Sequence, residues 1–231
     1  MARKDTPLRR LKYRLLSHLP GARGLEYSRK LRRLLSPEAK AQFGAALAGA
    51  RGKVCIDLGA NMGIYTRQMA EAGARVYAFE PDPWTAAKLR QNLVGLDNVT
   101  VIEAAAATRE GTMSLYRHPG FDDDPEFASL SSSTVAEKLN VDTDTAISVR
   151  AVDFPAFLAG LDADIAVIKM DIEGGEVALL EALLDHPVLS RIGAIFVETH
   201  ENRVPALAAR TRALRRRTAA MTRPVINMNW I

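Results

Sequence analysis

Residues 54–63 decide the fold, and they read Val-Cys-Ile-Asp-Leu-Gly-Ala-Asn-Met-Gly. A buried-strand run ends at Asp57, the chain turns at Gly59, and an amphipathic pattern follows Asn61, which we expect to cap a helix. Glycines at 59 and 63 allow a sharp turn and a close ligand approach, although such glycines can also serve backbone geometry alone. The spacing lacks the Gly-x-Gly-x-x-Gly of dinucleotide enzymes and the Gly-Lys-Ser/Thr of phosphate loops. The stretch therefore predicts a strand, a turn and a helix whose ligand is not held through phosphate.

The next predicted strand, Arg75 to Phe79, ends in Glu80 and is followed by Pro81-Asp82-Pro83. In a doubly wound sheet, an acidic side chain at this position reaches the ribose of a nucleotide-like ligand. Two carboxylates and a glycine turn suit an adenosine with a cationic or neutral tail, which describes S-adenosylmethionine. The expected cofactor contacts are Asp57, Gly59, Ala60, Asn61, Gly63, Glu80 and Asp82.

Short strands alternate with helices from residue 53 onwards, which predicts an α/β fold with a mostly parallel sheet and right-handed crossovers. The predicted elements are strand 54–58, helix 62–72, strand 75–79, helix 83–94 and strand 99–106. The period then changes, and strands 112–117 and 148–152 are expected to pair antiparallel around a polar insert, 118–146. An insert of that length is typical of a lid or a substrate loop.

A second acidic cluster follows the later strands. Asp171 and Glu173 come after the apolar run from Ile165, and Glu198 and His200 come after strand 193–197. Because parallel strands share one carboxyl edge, these side chains should converge opposite the adenosine site. Crowded carboxylates raise one another's pKa and an imidazole can titrate near neutrality, so the group can take a proton from a hydroxyl.

The candidate catalytic residues are therefore Asp171, Glu198 and His200. A second mechanism remains open, in which a divalent ion on Asp171 and Glu198 lowers the pKa of the acceptor. Oxygen ligands would favour Mg2+.

The net charge of +4 is distributed unevenly, with basic residues concentrated near the two ends of the chain and acidic residues in between. Residues 1–40 carry twelve Lys/Arg against three acids, and 203–223 carry seven arginines and no acid. We expect a basic helical extension over 1–50, with helices at 8–19, at about 25–35 and from Ser36, and a Rossmann-like domain over 51–231. The basic ends are either solvated helix faces or contacts to an anionic surface such as a peripheral membrane site, a glycan carrier or nucleic acid.

The single cysteine, Cys55, excludes a disulfide within the chain and fits a reducing cytoplasm. It is expected to be a small apolar filler of the first strand.

The sequence contains neither a secretory apolar stretch at its basic N-terminus nor a membrane-spanning apolar run, so a cytoplasmic location is expected.

The chain resembles the FkbM family of S-adenosylmethionine-dependent methyltransferases in several motifs along residues 54–200. These are residues 57–63, Phe79-Glu80-Pro81-Asp82-Pro83, the strand from Asn98 to Ala105, Ser131-Ser132-Ser133, and Lys169-Met170-Asp171-Ile172-Glu173-Gly174-Gly175-Glu176. The resemblance implies a class I methyltransferase fold and O-methylation of a sugar, glycolipid or polyketide-type hydroxyl. It does not cover residues 1–45 or identify the small-molecule or glycan acceptor.

The C-terminus departs from the family pattern. A complete class I sheet adds an antiparallel hairpin, but after a predicted helix over 204–217 only residues 218–231 remain, enough for one strand. Part of the acceptor wall is then missing or supplied by a partner subunit, which leaves a homo-oligomer open.

Three other classes remain as alternatives. An NAD-dependent oxidoreductase shares the opening architecture, and a non-catalytic module could bind the cofactor alone. A nucleic-acid methyltransferase would use the basic ends, but the Asp/Asn-Pro-Pro-aromatic tetrad of amino-methylating enzymes is absent after the fourth strand, which disfavours a nucleic-acid acceptor.

Overall fold

The computed structural model describes residues 5–129, 132–139, 141, 144 and 146–231. Its strands are β1 Val54–Leu58, β2 Arg75–Phe79, β3 Val99–Ile102, β4 Ala105–Ala107, β5 Gly111–Leu115, β6 Ile147–Asp153, β7 Ile165–Met170, β8 Ile192–Val197 and β9 Val225–Asn227. Its α-helices are α1 Pro7–Leu16, α2 Gly21–Ala48, α3 Ile64–Glu71, α4 Pro83–Asn92, α5 Pro125–Ala128, α6 Phe154–Ala159, α7 Glu176–Leu184 and α8 Ala208–Ala219. None of these helices combines the length and the apolar character that crossing a membrane requires.

Within the described residues, the main sheet has six strands in the order β3-β2-β1-β7-β8-β9, and all its pairings are parallel. The order reverses between β1 and β7, where doubly wound sheets open a ligand crevice. The predicted α/β fold with a mostly parallel sheet is confirmed. This prediction rested on the alternation of short, apolar strand patterns with helical patterns along the sequence.

The sheet is packed on both faces. On one face, Phe43 of α2 and Met69 of α3 contact a cluster that includes Cys55, so this cysteine is the buried apolar filler that the sequence predicted. On the other face, α6 and α7 cover a larger cluster around Ile56 and Leu58. α2, which ends at Ala48, therefore shares a core with the sheet.

The prediction of two helices divided at Ser36 is wrong. A single helix, α2, continues through Pro37, although proline removes one hydrogen bond from a helix interior. The residues that follow, Ala39, Phe43 and Leu47, are buried against the sheet, and this packing outweighs the local start signal.

The predicted third strand divides in two. β3 belongs to the main sheet, whereas β4 joins a three-stranded sheet in the order β4-β6-β5. The chain leaves the main sheet at Glu103 and the fully buried Ala104. The antiparallel pairing of β5 with β6 confirms the predicted hairpin at the base of the insert.

The C-terminal segment forms one strand, β9, which pairs parallel to β8. Within the described residues, β9 is therefore the edge strand next to β8. Beyond β9, Trp230 is 1% exposed and packs against Phe43, Tyr65 and Phe196. This tryptophan holds the end of the chain on the face of the sheet that α2 covers.

Candidate active site

The strand register aligns four chain ends at one edge of the sheet. Leu58 pairs with both Phe79 and Met170, and Met170 pairs with Val197. The residues that follow these positions are Gly59, Glu80, Asp171 and Glu198. A cleft of about 690 Å³, measured with its open mouth, lies at this edge.

Glu80 forms part of the cleft wall and is only 7% exposed. Its carboxylate accepts hydrogen bonds from the backbone N–H groups of Asn61, at 2.9 Å, and Asp82, at 3.1 Å. Burial raises the pKa of Glu80 to about 7, against the opposing effect of these two donors. Each carboxylate oxygen keeps a further lone pair for a ligand hydroxyl.

Asn61 does not cap α3, contrary to the prediction, because Gly63 occupies the N-cap position. Asn61 instead has a left-handed backbone, φ 46°, and donates its N–H to Glu80. Its side-chain amide donates to the Ser129 hydroxyl at 3.1 Å. Asn61 therefore connects the first turn to both the second strand and the insert.

The two glycines of the turn permit contact between protein segments. A Cβ on Gly59 would lie 1.8 Å from the carbonyl oxygen of Asp171, and a Cβ on Gly63 would lie 2.7 Å from Leu89 Cδ1. Both glycines have positive φ, 72° and 87°. Gly59 also lines the cleft. Its close contact with Asp171 therefore joins the turn after β1 to the loop after β7.

Asp57 lies beneath the turn and is fully buried. Its Oδ2 accepts a hydrogen bond from the Thr66 hydroxyl at 2.7 Å, and its Oδ1 lies 3.3 Å from Lys169 Nζ. Lys169 also donates to the carbonyl of Gly59 at 2.8 Å. Burial alone would lower the pKa of Lys169, but Asp57 and Asp171 outweigh it and raise the pKa above its ordinary value. Asp57 thus acts on the turn through Lys169 rather than from the cleft wall.

The sequence prediction assigned no role to Lys169. The available signal was a charged residue inside the apolar strand run 165–170, since a buried lysine requires a partner. Ala60 and Gly63 are part of the turn but, like Asp57, do not line the cleft.

Asp82 has a structural role that the prediction of a cofactor contact did not include. It caps α4 by accepting from the Thr85 N–H at 3.0 Å, and it accepts from Arg117 Nε at 2.7 Å. The side chain is 1% exposed and does not line the cleft. Its carboxylate stabilises the start of α4 beside Glu80.

The sequence predicted that Asp171, Glu173, Glu198 and His200 converge. In the structure, the three carboxylates lie around the imidazole of His200. The Nδ1 atom of His200 lies 2.9 Å from Glu176 Oε1. Its Nε2 lies 3.2 Å from Glu173 Oε2, 3.8 Å from Asp171 Oδ1 and 3.9 Å from Glu198 Oε1. Carboxylates of the loop after β7, of α7 and of the residue after β8 therefore all lie close to the buried imidazole of His200.

The charge state of His200 differs from the prediction that it titrates near neutrality. Burial alone would lower the pKa of His200, but Glu176, Glu173 and Asp171 raise it to about 10. At neutral pH the ring is therefore an imidazolium, which donates from both nitrogens and has no lone pair with which to accept a proton. His200 cannot serve as the general base in this state.

Glu198 is the member of the cluster that can exchange a proton near neutrality. Burial and the neighbouring Asp171 raise the pKa of Glu198 to about 7, while His200 opposes them. Further charges also act on Glu198, from Glu173, Arg32, Arg29 and Lys169. The side chains of Glu198 and Asp171 are 24% and 28% exposed, and of the two only Asp171 lines the cleft.

Glu176 fixes this arrangement from the first turn of α7. Its Oε1 accepts from the N–H of Ile172 at 2.8 Å and its Oε2 from the N–H of Gly174 at 2.9 Å. The side chain is 1% exposed. It therefore holds the loop after β7 and orients His200.

Asp171, Glu198 and His200 also offer three potential metal-ligand atoms within 4.8 Å of one another. A metal ligand must be a neutral imidazole, so a divalent ion and a proton on His200 are alternative ways to balance the negative charge of these carboxylates.

The insert 118–146 covers the site in its described part. The Ser133 hydroxyl donates to the carbonyl of Glu173 at 2.7 Å, and Lys138 Nζ lies 2.9 Å from Glu173 Oε2. The Ser132 hydroxyl is buried at the cleft without a hydrogen-bond partner. Ser131 of the predicted serine motif lies outside the described residues. An unpaired buried hydroxyl at the wall indicates a position for a polar ligand group.

A parallel sheet with this order and an acidic residue after its second strand is typical of the doubly wound α/β class of proteins. Its family follows from the sequence match to the Methyltransferase FkbM domain, which covers residues 57–218. The chain belongs to this family of methyltransferases.

The chain is also similar to a curated methyltransferase. The chain is 31% identical over 133 residues to "2-O-methyltransferase NoeI" of Sinorhizobium fredii (strain NBRC 101917 / NGR234). The match covers 53% of this chain and 54% of the relative, so it spans about half the length of each protein.

Proposed function

We propose that the protein transfers a methyl group from S-adenosylmethionine to a hydroxyl of a sugar, glycolipid or polyketide-type acceptor. One observation carries the proposal: a single cleft is lined by Glu80 on one side and by Asp171 on the other. Asp171 in turn belongs to the cluster that contains Glu198. The family and the O-methylating relative support the same reaction class.

The cleft fits the cofactor at the residues that would hold it. The ribose hydroxyls would donate to the Glu80 carboxylate, and the unpaired Ser132 hydroxyl offers a further polar contact. S-adenosylmethionine would supply a methyl group on a sulfonium, whose departure leaves a neutral thioether. The protein must then align acceptor and donor and exclude water.

Glu198 accepts the proton of the acceptor hydroxyl in this mechanism. The bound cofactor would supply the methyl group and keep the electron pair of the broken carbon–sulfur bond on sulfur, and the Glu198 carboxylate would accept the proton that the acceptor hydroxyl loses. Burial and the charge of Asp171 keep the pKa of Glu198 near neutrality, and Asp171 faces the acceptor. His200 stays protonated and balances the carboxylates that surround it.

Calorimetry with S-adenosylmethionine and with NAD, followed by radiolabelled methyl transfer to a panel of glycosides and glycolipids, tests the proposal. We expect binding of S-adenosylmethionine alone and label in at least one hydroxyl-bearing acceptor. Binding of NAD instead would favour an oxidoreductase. Cofactor binding without transfer to any acceptor would favour a non-catalytic module, and label in DNA or RNA would favour a nucleic-acid methyltransferase.

A further inference from the structure

Helix α1 exposes its leucines to solvent. Leu8, Leu11 and Leu15 are 77%, 54% and 64% exposed, and Leu19 just beyond the helix is 38% exposed. Spacings of three and four residues place the three helical leucines on one face. A helix that packs on a protein core turns such a stripe inward, but no residue of α1 is buried.

The opposite face of α1 is fixed against α2 by polar and aromatic contacts. The rings of Tyr13 and Tyr27 lie 5.6 Å apart between centroids. Arg10 pairs with Glu38 of α2 at 2.6 Å. These contacts determine the rotation of α1 about its axis, so the apolar stripe must face outward.

Cations border the stripe. Lys12 and Arg14 are both exposed, and helical spacing places them on either side of the leucines. Arg14 also lines a groove with three arginines of α8, Arg212, Arg215 and Arg216. An apolar stripe bordered by Lys and Arg matches the interface between the acyl chains and the anionic head groups of a membrane.

We infer that α1 docks on an anionic phospholipid membrane, with the leucines in the head-group boundary and the flanking cations against the lipid phosphates. The inference does not depend on the proposed methyl transfer. The location is nevertheless informative, because Arg32 of α2 donates to the carbonyl of Thr199, next to His200. The docking helix therefore packs on the helix that contacts the segment after β8.

Co-sedimentation of the full chain with vesicles tests the inference. We expect binding to vesicles of phosphatidylcholine with 30% phosphatidylglycerol that weakens as salt rises, and little binding to phosphatidylcholine alone. The double variant Leu8→Ser/Leu15→Ser should partition at least about tenfold more weakly. Lys12→Gln/Arg14→Gln should lose about fivefold per cation removed.

Ile64→Ser/Val94→Ser is the matched control, because these residues are 68% and 81% exposed elsewhere on the surface. It should bind like the unmodified chain, and thermal melting should show that each variant folds. Equal binding by the leucine variant and the control, or no binding of the unmodified chain to anionic vesicles, would overturn the inference. So would light scattering that shows a dimer which the leucine variant converts to monomer, since the stripe would then be an interface between copies.

Discussion

His200 Nδ1 lies 2.9 Å from Glu176 Oε1, and the two side chains are 4% and 1% exposed. A buried imidazole this close to a buried carboxylate keeps its proton. The pair therefore sets the charge of the whole cluster and makes folding stability depend on pH.

Because the pKa of His200 is raised to about 10 in the folded state, above an unfolded value of about 6.5, its contribution to stability is complete below about pH 6.5 and is lost as pH rises to about 10. Glu176→Gln should lower the free energy of unfolding by about 3–5 kcal/mol at pH 6, as expected for breaking a buried pair. It should also flatten the decline between pH 7 and 10. Urea denaturation at pH 6, 8 and 10 measures both effects, and an unchanged slope would show that the pair does not hold the proton.

Gly59→Ala should destabilise the fold by more than positive φ alone explains. The new Cβ would lie 1.8 Å from the carbonyl oxygen of Asp171, so the turn and the loop after β7 must separate. Gly52→Ala is the matched control, since Gly52 has φ 73° and no atom within 4 Å of a new Cβ. We expect a cost of about 1–2 kcal/mol for the control and about 1–3 kcal/mol more at Gly59. Equal melting temperatures for the two variants would contradict the close approach.

Glu80→Ala should weaken cofactor binding, and Glu80→Gln tests the charge. With the pKa of Glu80 raised to about 7 by burial, ribose hydroxyls that donate to the ionised form should make affinity increase from pH 6 to 8. Asp82 and Lys169 are the other charged groups that act on Glu80, and both remain in the variants. Losing the charge should cost at least about tenfold in affinity. Calorimetry that finds unchanged affinity in Glu80→Ala would remove this residue from the ribose.

Asp171→Asn should separate binding from transfer. The change leaves Glu80 intact, so cofactor affinity should change by less than about threefold, whereas the methyl-transfer rate should fall. Removing the Asp171 charge also lowers the pKa of Glu198, so the pH profile of the remaining rate should move to lower pH. A variant with full rate and an unshifted profile would exclude Asp171 from the chemistry.

The sequence predicted the sheet and the row of acidic residues because both depend on local periodicity and on a general property of parallel strands. The predictions from sequence were wrong where contacts between residues distant in sequence determine the structure. Pro37 indicated a helix start, yet packing of Phe43 and Leu47 on the sheet keeps α2 continuous. The direction of the pKa shift of His200 was not predicted, because its closest carboxylate, Glu176, is 24 residues away in sequence.

Similar limits apply to the cofactor half of the site. The glycines of the turn were correctly marked, but the segments that approach them, the carbonyl of Asp171 and the side chain of Leu89, are 112 and 26 residues away along the chain. Asp82 was grouped with Glu80 because the two are neighbours in sequence. Its pairing with Arg117 depends on where the insert packs, which no local pattern encodes.

The pH dependence of kcat/KM for methyl transfer, in the unmodified chain and in Glu198→Gln, tests the central claim most directly. We predict that kcat/KM of the unmodified chain rises through about pH 7, the raised pKa of Glu198, and then levels off. Glu198→Gln should be about 10²- to 10⁴-fold slower and should lack this rise, because the group that accepts the proton is gone. A variant that keeps both the rate and the rise would contradict the assignment of Glu198 as the base.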